Sequence, residues 1–468
     1  MSKRFRTCDL SQPFLMPPSL QDWLPANHLA CFLARIVEQM DLSAILSEYA
    51  RRDGRGQAAY HPRMMVRLLL YAYCVGRCSS RAMEKATHED VAFRYLSADQ
   101  HPDHDTIASF RQRHWEALAQ LFGEVLKLCR EAGLVKIGKV ALDGTKMAAN
   151  ASRRKSLNYR EAEQREAQLE QKVRELLEQA AQVDAEEDAR FGKGERGEYA
   201  LPQHLATAEQ QLARIREAKA VLEQAARERA EQARREREQQ RAAGKPASEA
   251  QKKRWQRAHR PVEESSAQYN TTDPESQLMK AGGGFVQAYN SQAVVLENQV
   301  VVACEVTTEA ADKQQLVPMA AQAAASLGQM PPALLADTGY WSEEAIRHAT
   351  LATTDLYVSP DSRPGQPQKK NAPASATAQQ MREKLQSAAG KATYRLRQQT
   401  VEPVFGQIKQ ARGFRRFLFR GLVKVRAEWA LICLTHNLLK LYRHQSMTPT
   451  VTGWRSQVAV RREADRRA

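Results

Sequence analysis

The stretch LVKIGKVALDGTKMAANAS, residues 134–152, is where the chain stops reading as helix. Val135, Ile137, Val140 and Leu142 favour a strand, and the run is expected to stop at Asp143-Gly144. An aspartate just past the end of a buried strand sits at a sheet edge, within reach of a ligand. The same grammar returns in PPALLADTGYWSEEAI (331–346): a short apolar run, then Asp337, a turn containing Gly339, and a helix from about Ser342. An Asp-Gly after a strand is also an ordinary turn, so neither aspartate alone decides the chemistry. Between them, GGGFVQAYNSQAVVLENQVVVACEVTTEAADKQQLVPM (282–319) gives two apolar runs around Glu297-Asn298, a hairpin. AAQAAASLG (320–328) reads as helix and DLYVSP (355–360) as another short strand. Strands interleaved with helices make the fold class α/β.

Before this unit, residues from about 10 to 132 read as a bundle of four or five helices. Asn27 is the expected N-cap of LPANHLACFLARIVEQM. Arg63, Arg67, Arg77, Arg81, Arg111 and Arg113 give the bundle a basic side suited to duplex DNA, although ordinary surface arginines read the same way. HPDHD (101–105) reads as a turn in which Asp105 or Thr106 caps the helix holding Phe110 and Trp115, in preference to a metal site.

From Arg153 to about Arg260 the chain turns rich in Glu, Gln, Arg and Ala, with apolar residues spaced by three, four and seven. That pattern predicts two long helices joined through FGKGERGEYALP (191–202), an antiparallel coiled-coil hairpin with a narrow alanine seam. RAAGKPASEAQKKRWQRAHRP (241–261) reads as a basic connector, SRPGQPQKKNAPASATAQ (362–379) as a mobile loop, and GLVKVRAEWALICLTHNLLKLYRH (421–444) as an amphipathic helix over the sheet. The resulting division is 1–132 helical N-terminal domain, 133–155 first strand of the core, 156–260 insertion, 261–444 remainder of the core, and 445–468 basic tail.

The formal net charge is +16, and the segment from Lys391 onward holds 17 Lys/Arg against 4 Asp/Glu. Positive charge concentrated in this way is the footprint of a polyanion. No apolar run is long enough to span a bilayer, and the first residues, MSKRFRTCDLSQPF, have no signal-peptide core, so a cytoplasmic protein is expected. The seven cysteines are scattered and read as reduced thiols.

Within the basic segment, ATYRLRQQTVEPVFGQIKQARGFRR (392–416) carries a single carboxylate, Glu402. Arg395, Glu402 and Lys409 are seven apart and fall near one helical face, with Pro403 expected to kink the helix. An acid flanked by cations suits a group that holds a metal beside a phosphate; a solvated helix with one incidental Glu fits the stretch as well. Two strand-end aspartates and a helix-borne glutamate can converge in one α/β unit. Their hard oxygens suit two Mg²⁺ or Mn²⁺ ions, the machinery of phosphodiester hydrolysis or strand transfer. Asp273, Asp312 and Asp355 are read as decoys: the first two lack a preceding apolar strand, and Asp355 comes before one.

Here the chain resembles a bacterial insertion-sequence transposase of the DDE class, in the insertion-sequence-five superfamily and its eleven-eighty-two branch. The segments that carry the likeness are YHPRMMVRLLLYAY, DHDTIASFRQRH, ALDGTKMAANAS, TTDPESQLMK, GGFVQAYNSQ, ADTGYWS, VEPVFGQIKQARGFRRF and HNLLKL. The resemblance implies an RNase H-like core with a helical N-terminal domain and an insertion, and makes Asp143, Asp337 and Glu402 the catalytic, metal-binding triad. Tyr394, Arg397 and Lys409 resemble a Tyr-Arg-Glu-Lys signature with one extra residue between Arg397 and Glu402. Lys409, Arg397, Tyr394, Arg395, Arg412, Arg415 and Arg416 are the expected DNA contacts, and Asn290 and Gln292 are expected near the site or in strand-turn hydrogen bonds. The partners implied are double-stranded DNA at the element's terminal inverted repeats and at the target, and further copies of the chain in a homodimer or larger assembly near the nucleoid. A metal-dependent nuclease on the same core, or a non-catalytic coiled-coil DNA-binding protein, remain the alternatives.

Overall fold

The computed structural model describes residues 19–50, 58–191, 201–244, 246–361 and 375–447. Most of the inter-helix segment FGKGERGEYALP, the loop from Ser362 to about Ala374 and the basic tail beyond Met447 lie outside the described residues.

Among the described residues seven helices precede the first strand, more than the four or five expected: α1 (Leu29–Gln39), α2 (Ser43–Ala50), α3 (Pro62–Cys74), α4 (Ser80–Glu89), α5 (Val91–Leu96), α6 (His104–Arg113) and α7 (Trp115–Glu131). The excess comes from caps that split longer runs. Asp90 ends α4 and accepts from Ala92 N and Phe93 N to start α5. His114 separates α6 from α7, so Phe110 and Trp115 stand on different helices. Two expected caps move by one or two residues: His28, not Asn27, caps α1, and Asp103, not Asp105 or Thr106, caps α6 through Thr106 N at 2.6 Å.

The basic side expected of this bundle is only partly free: Arg81 is exposed, whereas the other arginines are engaged within the fold. Arg111 is buried and donates to the Cys78 carbonyl, Arg67 pairs with Glu38, Arg77 with Asp90 and Arg113 with Glu48, and Arg63 donates to the Val37 carbonyl.

The sheet is built from β1 (Lys139–Ala148), β4 (Gln277–Ala281), β5 (Gly284–Leu296), β6 (Val301–Thr307), β7 (Ala333–Ala336) and β8 (Asp355–Val358). A separate two-stranded ladder, β2 (Ser156–Leu157) with β3 (Tyr269–Asn270), closes the base of the insertion. The path is β4-β5-β1-β7-β8, with β6 also on β5; β5 runs antiparallel to β1, β4 and β6, and β7 and β8 run parallel to β1. The hairpin at Glu297-Asn298 is present between β5 and β6.

β1 does not stop at Asp143-Gly144. It runs on to Ala148, because β5 supplies backbone partners opposite Asp143 through Ala148 after β7 has ended at Ala336. Asp143 is therefore an interior strand residue, whereas Asp337 is a true strand-end aspartate.

The insertion is α8 (Tyr159–Phe191), α9 (Leu201–Ala242) and α10 (Glu249–Ala258). α8 and α9 lie antiparallel: Tyr159 bonds Glu223, and farther along Glu166 and Glu170 hold Arg216 and Lys219. The seam is Ala162, Ala208, Leu212, Ile215, Ala218 and Leu222. The basic connector is largely helix. α10 starts on a Ser248–Gln251 capping box and folds back on α9, where Trp255 Nε1 and Arg254 both reach Glu236.

Beyond the sheet come α11 (Leu316–Leu327), α12 (Glu343–Ile346), α13 (Ala376–Gln386), α14 (Ala388–Thr400), α15 (Glu402–Gly406) and α16 (Leu422–Met447). α11 covers one face, with Leu316, Met319 and Ala320 against Val140, Leu142 and Leu334. α16 covers the other and is buried nearly all round, since α3 and α7 pack on its far side. One hydrophobic cluster thus runs from Leu33 and Leu69 through Trp429 and Leu434 to Ala293 and Val295, so the N-terminal helices share a core with the sheet.

Candidate functional site

Strand register brings the two aspartates together. Leu142 and Ala336 are Cα partners in the parallel β1–β7 pair, so the next residue on each strand is Asp143 and Asp337. Neighbouring strands are about 4.8 Å apart, which leaves the two carboxylates side by side. Asp143 Oδ1 accepts from Gly144 N at 2.8 Å, and Asp337 Oδ1 from Gly339 N at 2.8 Å. Burial, and then the like charges of Asp337 and Asp312, push the Asp143 carboxyl up to about 6; Arg397 and the Gly144 N–H pull the other way.

Glu402 arrives from α14 and α15. The helix breaks at Val401, and Pro403 sits in the first turn of α15, where its missing donor is harmless. Pro403 therefore restarts a helix instead of kinking a continuous one. A single π turn, Gln407–Ala411, follows. The break places Glu402 at a helix start with its side chain 52% exposed. Arg397, one turn earlier on α14, spans the gap: Nη1 lies 3.4 Å from Asp143 Oδ2 and Nη2 3.5 Å from Glu402 Oε1. A guanidinium thus stands between two of the three expected ligands. Among the described residues, no group of three or more His, Cys, Asp or Glu side chains is drawn close enough to hold a metal as it stands.

Asp312, read from sequence as a decoy, belongs to this neighbourhood. Its Oδ1 accepts from Asn290 Nδ2 at 2.6 Å, Gln292 Nε2 at 2.8 Å and Lys146 Nζ at 3.3 Å. Asn290 and Gln292 are therefore interior strand residues that fix a carboxylate, not turn residues. Alternation along β1 sends Asp143 with Ala141 toward the α16 face, and Gly144 and Lys146 with Leu142 toward the α11 face, where Asp312 lies. Gly144 makes this possible, because a Cβ there would meet Gln292 Nε2 at 2.4 Å and Asp312 Oδ1 at 2.8 Å. Tyr340 completes the layer by bonding Gln292 Oε1, and the three aspartates together with burial hold its hydroxyl well above the ordinary range. No local signal marks Asp312 in TTEAADKQQ; only the fold sets it against Gly144 and Gly339.

The expected DNA contacts divide. Arg395, Arg415 and Arg416 are exposed. Tyr394 is half-buried beside Arg397, and its hydroxyl is raised chiefly by burial. Lys409 is half-buried, donates to the Lys146 carbonyl at 2.9 Å, and is lowered by burial and by the Lys146 charge. Arg412 is a correction. It is 6% exposed, and its guanidinium is used up on the carbonyls of Tyr73 and Ile432 and on Thr435 Oγ1. It ties the last turn of α3 to α16, and no phosphate can reach it.

Two family models match the chain. One, described as Transposase domain (DUF772), matches residues 18–113; the other, described as Transposase DDE domain, matches residues 362–442. The first takes in α1 to α6. The second takes in Arg397, Glu402 and Lys409 and leaves Asp143 and Asp337 outside it. No curated protein matches the chain, and no solved structure does.

Proposed function

We propose that this chain, which carries the two matches, is a DDE transposase of the insertion-sequence class, an enzyme that cuts DNA and transfers strands, with Asp143, Asp337 and Glu402 as its catalytic carboxylates. The observation that carries the reading is the β1–β7 register, which sets Asp143 beside Asp337, together with Arg397 reaching from Asp143 to Glu402. The order β6-β5-β1-β7-β8, antiparallel then parallel, supports reading the core as RNase H-like. The motif set supports the eleven-eighty-two branch.

The donor set fits Mg²⁺ or Mn²⁺, because all three groups offer hard oxygens. Asp143 is also buried next to like charge, a strain that a bound cation relieves. Asp143, Asp337 and Glu402 would hold the metal, and when bound it would supply charge neutralisation at the phosphodiester and activation of the attacking oxygen. Arg397 keeps Glu402 within reach of the aspartates until the ion takes over that charge. Lys146, Asn290 and Gln292 lock Asp312, whose charge bears on Asp143 from the opposite face of the sheet. Arg395, Arg415 and Arg416 grip phosphates, which positions DNA without reading sequence. The substrates are the element's terminal inverted repeats and the target duplex.

The α8–α9 arm, read as a coiled coil, is proposed to join two copies on DNA. No helix among the described residues is long and apolar enough to cross a membrane, and the reading places the protein with the bacterial nucleoid.

The test uses a supercoiled plasmid carrying the element ends. Asp143→Asn, Asp337→Asn and Glu402→Gln should each abolish Mg²⁺-dependent cleavage and leave end binding largely intact. Full cleavage by the Asp337→Asn protein would end the assignment. A pre-cut end that is never joined to target DNA would point to a nuclease instead.

A further inference from the structure

Parts of four motif segments singled out in the sequence, with their flanking residues, take no part in the carboxylate site: AANASRRK (148–155), TTD (271–273), GGGFVQ (282–287) and GFRRFLFR (413–420). In the folded chain they meet. A cavity of about 530 Å³ is lined by Asn150, Arg153 and Lys155 from the first, Thr272 from the second, Phe285 and Gln287 from the third, and Arg416 and Arg420 from the fourth. We propose that this cavity is a binding site for one unpaired nucleotide of the DNA substrate, with the base against Phe285 and its phosphates on the arginines.

Charge carries the first half of the argument. Arg153, Lys155, Arg416 and Arg420 converge on the cavity, and among the described residues no carboxylate lines it. Like charges held together repel, and a polyanion is the partner that removes the cost. Glu275 lies beyond the lining, where it accepts from Leu422 N. The floor that holds the cations is rigid. Ala148 N bonds the Arg415 carbonyl, Phe417 N bonds the Ala148 carbonyl, Asn150 Nδ2 reaches the Leu418 carbonyl, and Arg420 Nε reaches the Asn150 carbonyl.

Shape carries the second half. Phe285 is 54% exposed, at the start of β5 just after the turn through Gly282 and Gly283, both at positive φ. A large aromatic left in water at the rim of a basic pocket offers a stacking face, and base–aromatic stacking is how unpaired nucleotides are held. A duplex cannot use that face, because its bases are stacked on one another, and a cavity of this size admits a nucleotide but not a double helix. β1 also supplies a ruler. Ala148 on the cavity wall is five residues along the strand from Asp143. That is about 17 Å, the length of about five base-pair steps of duplex, from the carboxylate site.

The inference rests on DNA being the substrate, not on which carboxylates do the chemistry. The test is fluorescence anisotropy with full-length protein, a labelled single-stranded 12-mer and the duplex of the same sequence, at fixed salt. Phe285→Ala should weaken single-strand binding about tenfold and change duplex binding less than twofold. Phe285→Trp should restore the single-strand affinity. Because Phe285 is exposed, the melting temperature of both variants should equal wild type. Arg153→Ala should lower both affinities and reduce the salt slope. An unchanged single-strand affinity in Phe285→Ala, or an equal fall for single strand and duplex, overturns the proposal. Plasmid-end cleavage by the same variants keeps the two readings apart: if wild type cleaves the ends but binds no single strand, the pocket fails and the transposase reading stands.

Discussion

Asp143→Asn should make this protein more stable at neutral pH when metal is withheld. The folded-state carboxyl titrates near 6 against an ordinary 3.8, so ionising it in place is unfavourable. The difference of about two pH units corresponds to about 3 kcal/mol. That is an upper value, since the side chain keeps 18% of its exposure. The sign follows from proton counting. Between about 4 and 6 the folded state holds a proton that the unfolded chain has released, so wild-type stability falls as pH rises through that window and stays low above it. The amide does not titrate. The variant should therefore gain about 2–3 kcal/mol at pH 7.5 in chelator, with the gain shrinking to nothing below about pH 4. Urea denaturation followed by circular dichroism at both pH values measures it. Added Mn²⁺ should then stabilise wild type by mass action and leave Asp143→Asn unmoved. A variant less stable than wild type at pH 7.5 in chelator, or a gain that grows on acidification, would refute the electrostatic reasoning.

Gly144→Ala drives a methyl into Gln292 and Asp312, and should cost about 1–3 kcal/mol and most of the cleavage activity, read by melting and by plasmid assay. Arg412→Ala should lose about 3 kcal/mol or more of stability, because it orphans the Tyr73 and Ile432 carbonyls, whereas Arg416→Ala should melt as wild type and bind DNA with a shallower salt dependence. Glu428, pushed up to about 7 by burial, should make stability fall as pH rises from about 4.5 to 7, and Glu428→Gln should flatten that slope in a pH series of melts. Deleting residues 160–257 should lower the number of copies per assembly, taken from the light-scattering mass divided by the mass of the shortened chain; an unchanged copy number would count against the arm as the joining element.

Local chemistry was enough for the outline. β-branched runs against helical spacing separated the sheet from the bundle and the insertion, because side-chain period and backbone geometry are tied within a few residues. The Glu297-Asn298 hairpin and the Asp337 strand end were readable for the same reason. What the chain order could not convey was everything settled by a partner far away. β1 continues past Asp143 because β5 is there to satisfy its backbone. Arg412 looks like a DNA contact in a run of arginines until α3 and α16 close over it. Asp312 looks incidental until the missing side chains of Gly144 and Gly339 admit it beside Asp143 and Asp337. Burial and electrostatic coupling act through space, over distances that sequence separation does not record, so composition and spacing determined the parts of this chain while tertiary contact decided which of its charged groups stay in solvent, which face one another and which only hold the fold.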